Sequence, residues 1–121
     1  MATILVIDDD RFSRVALRRL LEMDGHNVLE AETGLEGERL LASSRADIVF
    51  TDIFMPDQDG LQTIINIRKV DKAVPIVAVS SGGMTKELDY LKYSRRLGAS
   101  YAMPKPFTDS AIREIVRNIC A

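Results

Sequence analysis

Asp47-Ile48-Val49-Phe50-Thr51-Asp52-Ile53-Phe54-Met55-Pro56-Asp57-Gln58-Asp59-Gly60 is the stretch on which the reading of this chain turns. Ile48 to Phe50 is a short apolar run of β-branched and aromatic residues, the pattern of a strand buried on both faces. A single carboxylate, Asp52, stands at its end, and Pro56 and Asp59-Gly60 then break the strand and turn the chain. In an open α/β sheet the carboxyl ends of the strands are where ligands bind. A lone acid there is as readily a helix cap as a ligand, so this stretch alone leaves both open.

Working outward, similar runs recur. Ile4–Ile7 reads as a buried first strand and runs into Asp8-Asp9-Asp10. Arg11–Met23 follows with Phe12, Ala16, Leu17, Leu20 and Met23 at helical spacing, and Gly25 caps its C-terminus. Val28–Ala31 is a short strand at a sheet edge. A second helix follows Thr33-Gly34 with Leu35, Leu40 and Leu41 inward. Beyond Gly60, Leu61, Ile64, Ile65 and Arg68 mark a third. Pro75 opens a fourth strand, Ile76–Val79, closed by Ser80-Ser81-Gly82-Gly83. Met84–Leu97 is a helix with Met84, Leu88 and Leu91 on one stripe, capped by Gly98. Tyr101–Met103 is a fifth strand, ended by Pro104-Lys105-Pro106-Phe107. Thr108 or Asp109 caps a last helix with Ala111, Ile112, Ile115, Val116 and Ile119 inward. Strands alternating with helices imply an α/β fold with a parallel sheet and right-handed crossovers.

The bulk properties set limits. A chain of 121 residues suffices for one domain with its own core and is short for two. A 46% apolar content fits a globular fold, and a net charge of −2 makes no electrostatic case for nucleic acid. There is no apolar run of membrane-spanning length and no signal-peptide pattern, so a cytoplasmic protein is expected. Cys120, the sole cysteine, has no internal disulfide partner.

In a parallel sheet the ends of strands one, three, four and five share one edge. They bring Asp8-Asp9, Asp52, Ser80 and Lys105 together. Carboxylates so gathered raise one another's pKa or recruit a cation. Hard oxygen ligands suit Mg²⁺, which also binds phosphate oxygens. Lys105 and the Ser80 hydroxyl complete a phosphoryl site, with Asp52 as the attacking carboxylate.

These residues identify a resemblance. The chain resembles the receiver domain of two-component response regulators, of the chemotaxis-regulator type. The resemblance rests on Asp8-Asp9, Asp52 with Met55-Pro56 and Asp59-Gly60, Ser80, Gly98-Ala99 and Lys105-Pro106-Phe107, at the family's spacing. It implies a flavodoxin-like fold: a five-stranded parallel sheet of order 2-1-3-4-5 with five helices on both faces, one receiver domain over 1–121, without an output domain. Asp52 is then the phosphoacceptor, taking its phosphoryl group from a phosphohistidine on a sensor histidine kinase or phosphotransfer protein. Asp9, Asp52 and the Phe54 carbonyl would coordinate Mg²⁺ directly, and Asp8 would assist. Lys105 and Ser80 would contact the phosphoryl oxygens, and Lys105-Pro106 would be cis. Asp10 reads as a first-turn acid of the helix. A downstream protein would dock on the fourth helix, fifth strand and fifth helix. Beyond its own phosphorylation and slow dephosphorylation, no enzymatic turnover is expected.

Two departures stand out. The family's switch aromatic, three residues before the lysine, is Ala102 here, and Tyr101 should face the other way. Phe54 and Gly82 cannot position a hydrolytic water, so self-dephosphorylation should be slow. Other residues read plainly: His26 as a solvated turn residue, Cys120 as a frayed end, Arg95-Arg96 as a solvated helix end, Met55 and Phe107 as packing. Tyr90 and Tyr93 read equally as partner surface or core edge. The rival is a haloacid-dehalogenase-like phosphohydrolase, whose Asp-x-Asp-x-Thr/Val pattern fails at Phe12. A flavin site lacks its phosphate-cradling loop.

Overall fold

The apolar run Ile48–Phe50 lies in the middle strand of the sheet. The computed structural model describes residues 1–55, 59–81 and 92–121. Expectations for Pro56, Gly82, the Met84–Leu88–Leu91 stripe and Tyr90 lie outside the described residues. The strands are β1 (Thr3–Ile7), β2 (Asn27–Ala31), β3 (Ile48–Asp52), β4 (Ile76–Ser81) and β5 (Tyr101–Lys105). They form one parallel sheet in the order β2-β1-β3-β4-β5. The helices are α1 (Arg11–Met23), α2 (Gly34–Ser43), α3 (Gly60–Val70), a helical stretch over 92–97 (α4) and α5 (Asp109–Cys120). All five residues of β3 are buried, as a strand covered on both faces requires.

Strand alternation sorts the core into two layers. Leu5, Ile7, Val49, Ile76 and Ala78 face Ile64 and Ile67 of α3, with Leu40 and Leu41 of α2 and Leu97 of α4 packed against them. Ile4, Val6, Ile48, Phe50, Val77 and Val79 face Leu17, Leu20 and Leu21 of α1 and Ile112 and Val116 of α5. Each such side chain gains about 1.5–3 kcal/mol on leaving water, so these layers hold the sheet between its helices.

The strands outrun the apolar runs that announce them. β3 continues through Thr51 and Asp52, β4 through Ser80 and Ser81, and β5 through Pro104 and Lys105. The ladder needs only backbone groups, so polar residues extend it. Pro104 is tolerated because β5 is an edge strand.

Several expectations are corrected. In α1, Phe12 is 88% exposed, and Ala16 and Met23 are exposed too. The buried stripe runs Arg14, Leu17, Leu20, Leu21, and at 100° per residue Phe12, Ala16 and Met23 lie on its far side. Leu35 of α2 is exposed, because that helix meets the sheet through Gly34 and Gly37; a Cβ on Gly37 would overlap Ile7 Cδ1. Asp10 is the N-cap of α1 rather than a first-turn acid: its carboxylate accepts from the Phe12 N–H at 3.3 Å and the Ser13 hydroxyl at 2.8 Å. His26 is half-buried, and its Nδ1 accepts a hydrogen bond from the Ala2 N–H at 3.1 Å. Cys120 is exposed but lies in the last turn of α5.

Other expectations hold. Gly25 and Gly98 have positive φ, 88° and 127°, and close α1 and α4. In each case the next N–H bonds back to the carbonyl five residues earlier, His26 to Leu21 at 3.1 Å and Ala99 to Ser94 at 3.0 Å. Thr108 caps α5 by accepting from the Ala111 N–H at 3.1 Å. Met55 and Phe107 pack against the core, and the Lys105-Pro106 peptide is cis.

Asp59-Gly60 does more than turn the chain. Asp59 caps α3 by accepting from the Gln62 N–H at 3.0 Å, and the Gly60 N–H bonds the Ile53 carbonyl at 2.6 Å. A Cβ on Gly60 would overlap the Asp52 carbonyl and Ile53 Cα. Gly60→Ala therefore forces the backbone of Asp52 aside. It should cost about 1–3 kcal/mol of stability in urea denaturation. A loss within measurement error would show that the α3 N-terminus yields freely.

Candidate acidic site at the strand ends

The register places the acids. Ile7 lies beside Thr51, so the next residues along, Asp8 and Asp52, are neighbours at the carboxyl edge. Asp8 follows β1 directly and is tied at four points. Its N–H donates to the Ala31 carbonyl at 3.0 Å, and its carbonyl accepts from Arg14 Nη1 at 2.8 Å. Its Oδ1 accepts from the Asp10 N–H at 2.9 Å, and its Oδ2 meets Lys105 Nζ at 2.8 Å. Asp9 is exposed and has no such set of ties among the described residues. Asp52, 5% exposed, accepts at Oδ1 from the Phe54 N–H at 3.2 Å, and its Oδ2 lies 3.5 Å from Lys105 Nζ.

Ser80 sits one residue past the Asp52–Val79 pairing and is fully buried. Its Oγ has no hydrogen-bond partner among the described residues. A buried hydroxyl left unmatched costs about 1–3 kcal/mol, so this group stands as unspent hydrogen-bonding capacity beside the acids. Lys105 arrives on the adjacent edge strand. The sheet thus brings all of Asp8, Asp9, Asp52, Ser80 and Lys105 to the one edge that was expected, and Phe54 follows within two residues of Asp52.

The electrostatics follow from burial. Burial pushes the Asp52 carboxyl up; the Lys105 charge pulls it down and the Asp8 charge pushes it up again, to about 6. Burial works against the Lys105 ammonium, but its hydrogen bond to Asp8 and the charges of Asp52 and Asp8 outweigh that and hold it above its usual value. Carboxylate oxygens from Asp8, Asp9 and Asp52 all lie within 4.8 Å of one another. Lys105 offsets one of the three charges. The uncompensated remainder and the all-oxygen donor set fit a divalent cation such as Mg²⁺.

Sequence reasoning missed Arg14. It is 7% exposed, within a helix whose other arginines look solvated, and Glu30 of β2 holds its Nε at 2.9 Å. The faint signal was an arginine at the phase of Leu17 and Leu21. Of the larger clefts, one of about 520 Å³ opens at the opposite, N-terminal edge of β3 and β4 between Ser43 and Pro75, away from the acids. Another, of about 510 Å³, runs between α1 and the Lys105–Phe107 corner.

The profile of the response regulator receiver domain family matches residues 4–117. The chain belongs to that family. As a receiver domain of two-component response regulators, it is similar to the transcriptional regulatory protein CpxR of Klebsiella pneumoniae. The two are 37% identical over 121 residues, covering 100% of this chain and 49% of CpxR. It is 28% identical to sporulation initiation phosphotransferase F of Bacillus subtilis over 94% of this chain and 90% of that one. A crystal structure of a receiver domain protein from Clostridium thermocellum superposes with a TM-score of 0.90 at 30% identity, covering 98% and 94% of the two chains. The chain spans about half the length of the CpxR and MprA relatives it matches. Receiver domains interact with histidine kinases and downstream effectors and are not a family of turnover enzymes, and the phosphohydrolase alternative is left without support. Among the described residues no helix is long and apolar enough to cross a membrane.

The raised Asp52 carboxyl predicts a pH dependence for the metal-free protein. The folded state holds this proton to higher pH than the unfolded chain does. The contribution is therefore fully present below about pH 4 and is lost as pH rises through about 6. In EDTA, thermal stability should fall across that window, and Asp52→Asn should flatten the profile and melt higher at neutral pH. An unchanged profile in Asp52→Asn would assign the dependence to another group.

Proposed function

We propose that residues 1–121 form one receiver domain in which Asp52 is the phosphoacceptor. The observation that carries this reading is the Asp52 carboxylate, buried at a strand end, 3.5 Å from Lys105 Nζ and grouped with Asp8 and Asp9. Asp8, Asp9, Asp52 and the Phe54 carbonyl would hold Mg²⁺. When bound, that ion neutralises negative charge gathering on the phosphoryl oxygens.

The chain's own residues do the rest. Asp52 attacks phosphorus in line with the phosphorus–nitrogen bond of a phosphohistidine. That bond breaks, and its electron pair returns to the imidazole, which takes up a proton. No base is needed, because the nucleophile is already an anion. Lys105 pairs with the new phosphoryl oxygens, and Ser80 supplies the hydrogen bond that its buried hydroxyl does not make within the described residues.

The partner side departs from the usual family pattern. Tyr101 packs toward the α1 and α5 layer and Ala102 toward the α2 and α3 layer, as alternation requires. Among the described residues of β5, no aromatic ring lies on the Ala102 side. On this reading the downstream protein docks on α4, β5 and α5. Tyr93, Arg95 and Arg96, all exposed on α4, offer that partner an aromatic and two cations. The phosphodonor is a sensor histidine kinase or phosphotransfer protein, and the setting is the cytoplasm.

Incubation with acetyl phosphate and Mg²⁺, followed by intact-mass spectrometry, should give a single phosphoryl adduct. The adduct should vanish in Asp52→Asn, without Mg²⁺, and largely in Lys105→Met. An adduct that survives Asp52→Asn moves the acceptor elsewhere. With Phe54 beside Asp52 and glycine at position 82, the adduct should persist for minutes or longer. Decay within seconds would contradict the shielding argument.

A further inference from the structure

Arg14 occupies a place where α1 would ordinarily carry an aliphatic side chain. Burying a guanidinium is costly unless its charge is paired and its donors are met; here two of its nitrogens donate hydrogen bonds and the third faces a carboxylate. Nη1 donates to the Asp8 carbonyl at 2.8 Å, Nε to Glu30 at 2.9 Å, and Nη2 lies 3.6 Å from Glu32. Glu30 is fixed in turn, by pairing with Val6 in the sheet and by Arg18. The anchor therefore runs from edge strand β2 through Glu30 and Arg14 to the backbone of Asp8.

That carbonyl is an effective place to hold the site. Asp8 is already fixed on its N–H side by Ala31, and Asp10 by capping α1. With the Asp8 carbonyl pinned, the peptide linking Asp8 to Asp9 loses its freedom to rotate. Asp9, exposed and repelled by its neighbours, would otherwise swing its carboxylate into water.

We infer that Arg14 is a positioning residue for the acidic site, its Glu30-held guanidinium fixing the Asp8–Asp9 peptide so that both carboxylates stay directed at Asp52. The inference rests on the reading of Asp8, Asp9 and Asp52 as the acids that hold Mg²⁺. It makes a prediction of definite sign. Acting through space alone, the Arg14 cation would repel a dication, so its removal would tighten Mg²⁺ binding. Acting by position, its removal loosens binding.

The test is a Mg²⁺ titration of the full chain followed by amide shifts of Asp8, Asp9 and Asp10, with a thermal melt to confirm folding. Wild type, Arg14→Ala, Arg14→Lys and Arg113→Ala are compared. Arg14→Ala should weaken Mg²⁺ about tenfold, the loss typical when a group orienting a metal ligand is removed. Arg14→Lys keeps the charge but lacks the fork that reaches both acceptors, so it should be weakened less. It carries the test should Arg14→Ala not fold. Arg113→Ala breaks only the exposed pair with Asp24 at the far end of α1 and should leave affinity unchanged. Unchanged or tighter binding in folded Arg14 variants would overturn the role of Arg14 alone. Failure of the wild type to bind Mg²⁺ would overturn the site itself, and this inference with it.

Discussion

Carboxylates gathered at one end of a sheet repel one another, and everything distinctive about this molecule is arranged to keep them there. Lys105 crosses from the far strand to touch Asp8 and approach Asp52. It offsets part of the charge without closing the site. The Asp8 backbone is anchored on both sides of its Cα, and Asp52 emerges from a strand buried at every residue. Because the backbone at these positions is fixed by the sheet, burial first and the Asp8 charge second hold the Asp52 carboxyl high, and the gathered charge is expressed as a demand for a cation rather than as a displaced chain.

The parallel sheet makes this gathering possible. Each strand arrives from the same direction, so each contributes its terminal residue to one edge, and the register decides which residues meet. The helices then divide the labour. α1 and α5 cover one face with α1 feeding Arg14 back beneath the acids, while α3 begins so close to β3 that Gly60 touches the Asp52 backbone.

Much of this was legible in the residues. Ile4–Ile7, Ile48–Phe50 and Ile76–Val79 are apolar runs too short for helices, and each ends in a chemically loaded residue. Asp8, Asp9, Asp52, Ser80 and Lys105 could therefore be placed together before any coordinate was known. What escaped notice depends on partners distant in sequence. Phe12 and Met23 suggested an inward stripe because α1 has more than one helical phase carrying apolar residues, and only packing chooses between them. Arg14 drew no notice because its acceptors, Glu30 and the Asp8 carbonyl, are distant in sequence or belong to the backbone. His26 looked like a turn residue because its donor, Ala2, lies at the other end of the motif. Polar strand ends such as Ser80 and Lys105 escape a count of apolar residues, since a ladder is held by backbone alone.

The contact between Gly60 and Asp52 bears on how this domain can change over generations. At most positions on a helix, a glycine is an open invitation to alanine, which is reached by one base change and favours helix. Here that step would push on the very residue whose position matters most. Residue 60 is therefore closed to any side chain for which the Asp52 backbone does not make way. A lineage exploring new partners is free to alter exposed Phe12, Met23 or Tyr93 at little cost, and is barred from adjusting the turn that seats its own acid.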